Sequence, residues 1–305
     1  MRNQPHTIRK TLCTALVLAL LGGCGTAGRV YDPPTELPGA TENPSLSEVV
    51  VGQDTVLLQQ ALMDLVQDAD RSGADLAGTS PNEFISIYYE DLESGDILSL
   101  YPASYYPCSM VKLVCLAAVY DAIADSEIQE EEVSDMLDAM IEISDNTSYN
   151  VLAQLAGSDR IQHILEAAGT RNTVVNHGLL PGDAYFGGDP DLPDNTATAE
   201  DMGKILRYIH NWPDEEIRGK MIERLTRCQD DTALVQGLPA EVTVAHKTGW
   251  ADGLYHDGAI VMEPDGGTYI LVVMTENAPM EELSLIAETV TGFRGRKLTE
   301  EEPAA

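Results

Sequence analysis

Strand-like segments occur only near the two ends of the patterned part of this chain, and that arrangement constrains its fold more than any other feature. Near the start, residues 84–89 are mostly β-branched or aromatic. Glu93-Ser94-Gly95-Asp96 then turns the chain and 97–101 returns, which reads as a hairpin. Near the end, 242–247, 258–262 and 269–274 read as strands, with Pro264-Asp265-Gly266-Gly267 turning between the last two. Apolar residues at helical spacing fill the interval, over 109–124, 131–143, 147–156, 159–168, 198–209 and 214–226. A helix over 50–66 precedes the first hairpin and one over 280–291 follows the last strand. A long Gly/Asp/Pro-rich loop spans 170–195. Single strands cannot bury their faces alone, so the two groups of strands are expected to meet in one sheet. The expected class is α/β (α+β): an antiparallel sheet built from both chain ends, flanked by helices, with an inserted all-helical domain. The sequence contains no internal repeat.

The first residues read as an export signal. Arg2, Arg9 and Lys10 precede an apolar run over 11–21 that is too short to span a bilayer. The run ends in Leu21-Gly22-Gly23-Cys24, which resembles the lipobox of bacterial lipoproteins, in which the Cys is diacylated and becomes the new N-terminus. Residues 1–23 are therefore expected to be a signal peptide and Cys24 the lipidation site. The alternative is an ordinary cleaved signal with a coincidental Cys. Residues 24–47, with Pro33, Pro34, Pro38 and Pro44, read as a flexible tether. The catalytic domain is expected over 48–295. Its α/β part would comprise 48–106 and 240–295, and its helical part 107–239. Residues 296–305 read as an acidic tail.

The net charge of the whole chain is −32. Cleavage before Cys24 removes three cations and no acid, leaving a still more acidic protein. Such a charge excludes nucleic acid and anionic membrane surfaces as partners, and any anionic substrate needs local cations. Of five cysteines, Cys13 leaves with the signal and Cys24 takes lipid, so Cys108, Cys115 and Cys228 remain. Cys108 and Cys115 lie about 10 Å apart along one predicted helix, beyond disulfide reach. All three are expected as structural thiols, with a bridge to Cys228 the open alternative.

Three short strings stand where these elements join. Ser109-Met110-Val111-Lys112 is S-x-x-K at a helix start, Ser144-Asp145-Asn146 lies in the break between two helices, and Lys247-Thr248-Gly249 closes a strand. Each residue type has a physical reason to be there. Ser109 at a helix N-terminus presents a hydroxyl beside the positive dipole end. Lys112 projects from the same face one turn on. Beside Lys247 and out of water, its pKa falls and it can take the Ser109 proton. Ser144 can relay that proton to a leaving group, and Asn146 can hold a substrate amide. Lys247 and Thr248 offer a cation and a donor to a substrate carboxylate. Backbone N–H groups of Ser109 and Trp250, the residue after Gly249, can form an oxyanion hole.

All three strings in this order resemble class A β-lactamases and the related penicillin-binding proteins, over residues 50–291. Tyr106-Pro107-Cys108-Ser109 and Val244-Ala245-His246-Lys247-Thr248-Gly249-Trp250 also look like family flanks. The resemblance implies a sheet-and-helix fold with the site in a cleft between its two parts, and the roles just given. It also implies that Asn150, in S-D-N-x-x-x-N, fastens the long loop; an exposed helix polar is the other reading. Asp145 is either a structural residue orienting its loop or a catalytic one.

Three departures weaken the match. The family's long loop carries a Glu that activates the deacylating water, whereas 171–195 holds only Asp183, Asp189, Asp191 and Asp194. Asp183 aligns best as a possible deacylation base; the alternative is that these acids cap turns. Second, no Arg stands at Tyr255-His256-Asp257-Gly258 or in 232–238. Carboxylate binding would then rest on Lys247 and Thr248, with His256 either assisting or merely structural. His246 reads as packing beside its strand, or as a base. Third, Ser109 and Ser144 are only thirty-five positions apart, which removes a cleft wall.

The resemblance implies an acyl-enzyme on Ser109, formed from a β-lactam or a peptidoglycan-like amide or ester, with weak β-lactam turnover. The alternative is a non-turnover penicillin- or cell-wall-binding lipoprotein acting as sensor or trap. The expected partners are a small-molecule or cell-wall peptide substrate and a membrane, the latter through Cys24 only. The protein is expected to be an extracytoplasmic monomer, anchored by lipid to a bacterial cell membrane. No metal motif or cofactor fingerprint is present, and no cofactor is expected.

Overall fold

The computed structural model describes residues 53–69, 85–179 and 192–300. The signal peptide, Cys24, the tether at 24–47 and the acids Asp183, Asp189 and Asp191 lie outside the described residues. The described part contains eight helices and one five-stranded sheet. Helix α1 is Gln53–Ala69, followed by β1 (Ile85–Asp91) and β2 (Ile97–Leu100). A 3-10 turn, Cys108–Met110, leads into α2 (Val111–Ala124). Then come α3 (Glu130–Glu142), α4 (Asn146–Ala156), α5 (Ser158–Ala168), α6 (Ala199–His210) and α7 (Glu215–Leu225). A second 3-10 turn, Leu234–Gly237, precedes β3 (Thr243–Ala251), β4 (Leu254–Met262), β5 (Thr268–Glu276) and α8 (Glu281–Glu300). Among the described residues no helix is long and apolar enough to cross a membrane.

The sheet is antiparallel throughout, in the order β2-β1-β5-β4-β3. The early hairpin and the late strands therefore share one sheet, as the sequence pattern predicts, with β1 pairing with the last strand, β5. Both faces of the sheet are covered, and the two-residue period of a strand decides which residue goes where. Ile270, Val272 and Met274 of β5 face the cluster formed by α2 to α7. Tyr269, Leu271 and Val273 face α1 and α8. This is why the last strands read as almost unbroken apolar runs rather than as alternating ones.

Helix α2 is central to the helical layer. Its residues 111–120 are all buried, on every side, as expected of a helix without a polar face. The one charged residue in that run, Lys112, is thereby buried with it.

Several boundaries differ from the sequence reading. The strand carrying Lys247-Thr248-Gly249 does not end there but runs on to Ala251, because its pairing with β4 continues through Trp250 and Tyr255 to Ala251 and Leu254. Helix α8 continues through Glu300, beyond the predicted end at 291 and into the expected acidic tail. Periodicity marks the buried part of an element, and backbone pairing extends past it.

Candidate active site

Ser109 lies in the 3-10 turn rather than in the first turn of an α-helix, which begins at Val111. The turn is entered through Pro107 and through Cys108 at a positive φ of 51°. Ser144, in the break between α3 and α4, also has a positive φ, 58°. Such backbone is uncommon outside glycine and persists only when the surroundings hold it. The surroundings can be named. His256 of β4 donates from Nε2 to the Tyr106 carbonyl, 3.0 Å, which anchors the strand of chain entering the turn. Asp145 caps α4, accepting from Ser148 N at 2.6 Å, and so fixes the chain beside Ser144. Asp145 thus takes the structural role.

Lys112 joins these two points. Its Nζ lies 3.0 Å from Ser109 Oγ, 3.0 Å from Ser144 Oγ, 2.5 Å from the Ser144 carbonyl and 2.7 Å from Asn146 Oδ1. Burial disfavours the ammonium, and the positive charge of Lys247 pushes the same way. Asp145 opposes both, and the resulting pKa is about 7. Two of the four neighbours are carbonyl oxygens, which can only accept. A neutral amine gives them its two N–H bonds and keeps one lone pair for a serine hydroxyl.

Lys247 is fully buried, and its Nζ donates to the Thr248 carbonyl at 2.9 Å. Burial lowers its pKa, against the raising influence of Cys228, Asp257 and Asp230. Gly249 lies directly against the nucleophile turn. A methyl built on its Cα would stand 2.9 Å from Pro107 O and 3.0 Å from the nitrogens of Ser109 and Met110. Only glycine lets β3 approach so closely, which sets Trp250 next to the turn. Trp250 itself is 66 % exposed. Ser144, Lys247, Trp250, Asp230 and Cys228 share the lining of one cleft of about 630 Å³.

The two histidines are structural. His256 is buried, with Nε2 bound to Tyr106 and Nδ1 accepting from Thr275 N at 3.2 Å. Burial pushes its pKa down to about 4, so it is a neutral link in the sheet and not a cation for a substrate. His246 is also buried, but its Nδ1 lies 3.1 Å from Asp257 Oδ1. Burial alone would lower its pKa; the Asp257 carboxylate and Cys228 outweigh burial and raise it to about 10. None of Cys108, Cys115 and Cys228 is in a disulfide.

Asn150 is buried, and it clasps the long loop by donating to Leu179 O (2.7 Å) and accepting from Leu179 N (2.8 Å). The exposed-polar reading of Asn150 is therefore wrong. The far end of the loop is tied back by Asn195, whose Oδ1 accepts from Asn176 N and His177 N at 2.8 and 2.9 Å. Residues 180–191, Asp183 included, are not described.

One polar side chain of the cleft escaped the sequence reading. Asp230 accepts the Thr248 hydroxyl at 2.8 Å and the Thr232 hydroxyl at 2.6 Å. Burial would raise its pKa, but those hydrogen bonds and Lys247 hold it below the usual carboxylate range. It sits in a turn after α7 with no periodic pattern around it, so only the folded chain brings it to the cleft.

The model of the beta-lactamase enzyme family matches residues 129–291, more than half of the chain. That span holds Ser144-Asp145-Asn146 and Lys247-Thr248-Gly249 but begins after Ser109 and Lys112. Among solved structures, a mutant of PBP-A in an acyl-enzyme complex with penicillin G is 20% identical, with a TM-score of 0.65, covering 79% of this chain and 97% of that one. A variant of the last common ancestor of Gram-negative bacteria class A β-lactamase is 19% identical, with a TM-score of 0.63, covering 77% and 97%. A β-lactamase from Desulfarculus baarsii is 19% identical, with a TM-score of 0.64, covering 80% and 99%. At these identities the likeness establishes the fold. No curated protein sequence matches the chain. With the fold shared and the family model covering most of the helical layer and three of the five strands, the chain belongs to the beta-lactamase enzyme family.

Proposed function

We propose that the protein is a serine hydrolase that forms an acyl-enzyme on Ser109 with the amide or ester bond of a β-lactam or peptidoglycan-like substrate. The observation that carries this reading is the set of contacts around Lys112 Nζ, which leaves one lone pair for a serine hydroxyl. Neutral Lys112 takes the Ser109 proton as Oγ attacks the carbonyl carbon. The N–H groups of Ser109 and Trp250 hold the oxyanion. The proton then passes through Ser144 to the leaving nitrogen or oxygen as that bond breaks. Asn146 and Lys247 position the substrate within the cleft.

Deacylation needs a second base beside the acyl ester. Residues 171–195 contain no Glu, and an Asp is one methylene shorter. Losing a well-placed general base typically costs about two to four decades in rate. A chromogenic cephalosporin should therefore give a burst followed by slow turnover; fast, steady turnover without a burst would refute slow deacylation. It would also implicate Asp183, whose change to Asn should then restore the burst.

We further propose that the protein acts outside the cytoplasm as a monomer held to the membrane by lipid on Cys24. Leu21-Gly22-Gly23-Cys24 behind the apolar run supports this reading. Cys24→Ser should release soluble or unprocessed protein from the membrane fraction. Correctly processed Cys24→Ser protein that still sediments with membranes would contradict the anchor.

A further inference from the structure

Acylation on Ser109 makes no use of Cys228, yet Cys228 shares the lining of the cleft with Ser144, Lys247 and Trp250. Cys108, Cys115 and Cys228 are all free thiols, but the first two are buried and Cys228 is partly exposed. It does not stand alone. His246 pairs through Nδ1 with Asp257 Oδ1 at 3.1 Å, which leaves Nε2–H as the remaining donor of the ring. Asp257 is itself held, accepting from Leu234 N at 3.1 Å through Oδ2. Cys228 is a hydrogen-bond partner of the His246 side chain. Asp257 and His246 are buried, so a line of acid, imidazole and sulfur runs from the interior out to the cleft. An acid that orients a histidine, which in turn faces a sulfur, is an arrangement that makes a cysteine nucleophilic.

The surrounding charges agree with this geometry. Burial disfavours the Cys228 thiolate, but His246, Lys247 and the Asp230 backbone N–H outweigh it and hold the thiol below its ordinary range. At Cys108 burial acts unopposed and pushes the thiol up to about 12. Burial raises Cys115 as well, against a smaller lowering by Lys112.

We propose that Cys228, with His246 and Asp257, is a reversible modification site that takes a small uncharged disulfide, and that the adduct occupies the cleft. Sγ attacks one sulfur of the reagent. The new Sγ–S bond forms as the old S–S bond breaks, and the second sulfur leaves as a thiolate that takes a proton from water. An added thiol runs the same exchange backwards and frees Cys228. The net charge of −32 favours an uncharged reagent over an anionic one. A group carried on Cys228 competes with substrate for the same cleft. That consequence rests on the acyl-enzyme reading above, whereas the sulfur chemistry does not.

The probe is 4,4′-dithiodipyridine, a neutral disulfide whose leaving group is counted by its absorbance. It is added at pH 6 to the full-length protein, native and unfolded in urea, and peptide mapping assigns each adduct. An ordinary thiol is only about 0.3% thiolate at this pH. Native Cys228 should react about tenfold or more faster than the same cysteine in the unfolded chain, while Cys108 and Cys115 stay unmodified. Exposure alone cannot produce that ratio, because unfolding exposes Cys228 fully. His246→Gln should remove the native advantage. Penicillin acylation of the modified protein should fall about tenfold or more and return with dithiothreitol, and treated Cys228→Ser should keep the rate of its own untreated sample. The ratio in the wild type decides alone if either variant does not fold. Ser109→Ala should show the wild-type Cys228 rate, so a protein that forms no penicillin adduct fails the acyl-enzyme reading and leaves the sulfur chemistry to be judged by that ratio. Native Cys228 reacting no faster than in urea, equal labelling of Cys108 or Cys115, an undiminished advantage in folded His246→Gln, or unchanged penicillin acylation after full modification overturns the proposal.

Discussion

Lys112 Nζ lies 3.0 Å from Ser109 Oγ and draws its pKa of about 7 mainly from burial, with Lys247 lowering it further. At an ordinary value of 10.5, only roughly one lysine in 3,000 would be neutral at pH 7; here about half are. The neutral form is the base, so acylation should rise with pH to about 7 and then level. Lys247→Gln removes a like charge and should move that midpoint upward while slowing acylation. Pre-steady-state acylation rates across pH 5–9 provide the check. An unmoved midpoint in Lys247→Gln would show that the two ammonium groups do not interact.

Gly249→Ala should injure the site more than the fold. Its methyl must displace the nucleophile turn, since it would stand 2.9–3.0 Å from Pro107 O, Ser109 N and Met110 N. Loss of one well-placed oxyanion donor costs about 10²- to 10³-fold in rate, whereas local overpacking costs about 1–3 kcal/mol. Acylation rate and urea midpoint measured on the same sample separate the two. Wild-type acylation in Gly249→Ala would mean that β3 and the turn can part without consequence.

Asn150→Ala breaks both hydrogen bonds to Leu179 and leaves two buried backbone groups unpaired. The cost should be about 1–3 kcal/mol, or roughly 2–12 °C in melting temperature at about 2–4 °C per kcal/mol for a domain of this size. The long loop should also become more open to limited proteolysis. An unchanged cleavage rate within residues 176–195 would deny Asn150 its fastening role.

The His246–Asp257 pair makes stability depend on pH with a definite sign. The folded pKa of His246 is raised, from 6.5 to about 10. Its contribution is therefore complete below about pH 6.5 and is lost as pH rises towards 10. Asp257→Asn removes the partner of a buried charge and should cost about 3–5 kcal/mol near pH 6. Burial then dominates, so the variant's urea midpoint should rise from pH 6 to pH 8 while the wild type's falls. Parallel pH trends in the two proteins would contradict this pairing.

The sheet was legible because both its faces are covered, which makes its strands distinctively apolar and confines them to the chain ends. The chemistry was legible because S-x-x-K fixes Ser109 and Lys112 one turn apart whichever helix type begins the segment. The 3-10 turn itself was not legible: it depends on the Tyr106 carbonyl being held by His256, 150 residues away. The continuation of β3 to Ala251 was equally hidden, since Trp250 is exposed and pairs through its backbone. Asp230 was invisible for a third reason. A polar residue in an irregular turn acquires meaning only when packing sets it against Thr248.

The most direct measurement is the intact mass of the protein after exposure to a fluorophosphonate and, separately, to excess penicillin. It should be made on the wild type and on Ser109→Ala, with peptide mapping of any adduct. The expected result is one adduct per chain on the peptide carrying Ser109, absent in Ser109→Ala. No adduct with either reagent, or an adduct that persists in folded Ser109→Ala, would contradict an acyl-enzyme on Ser109.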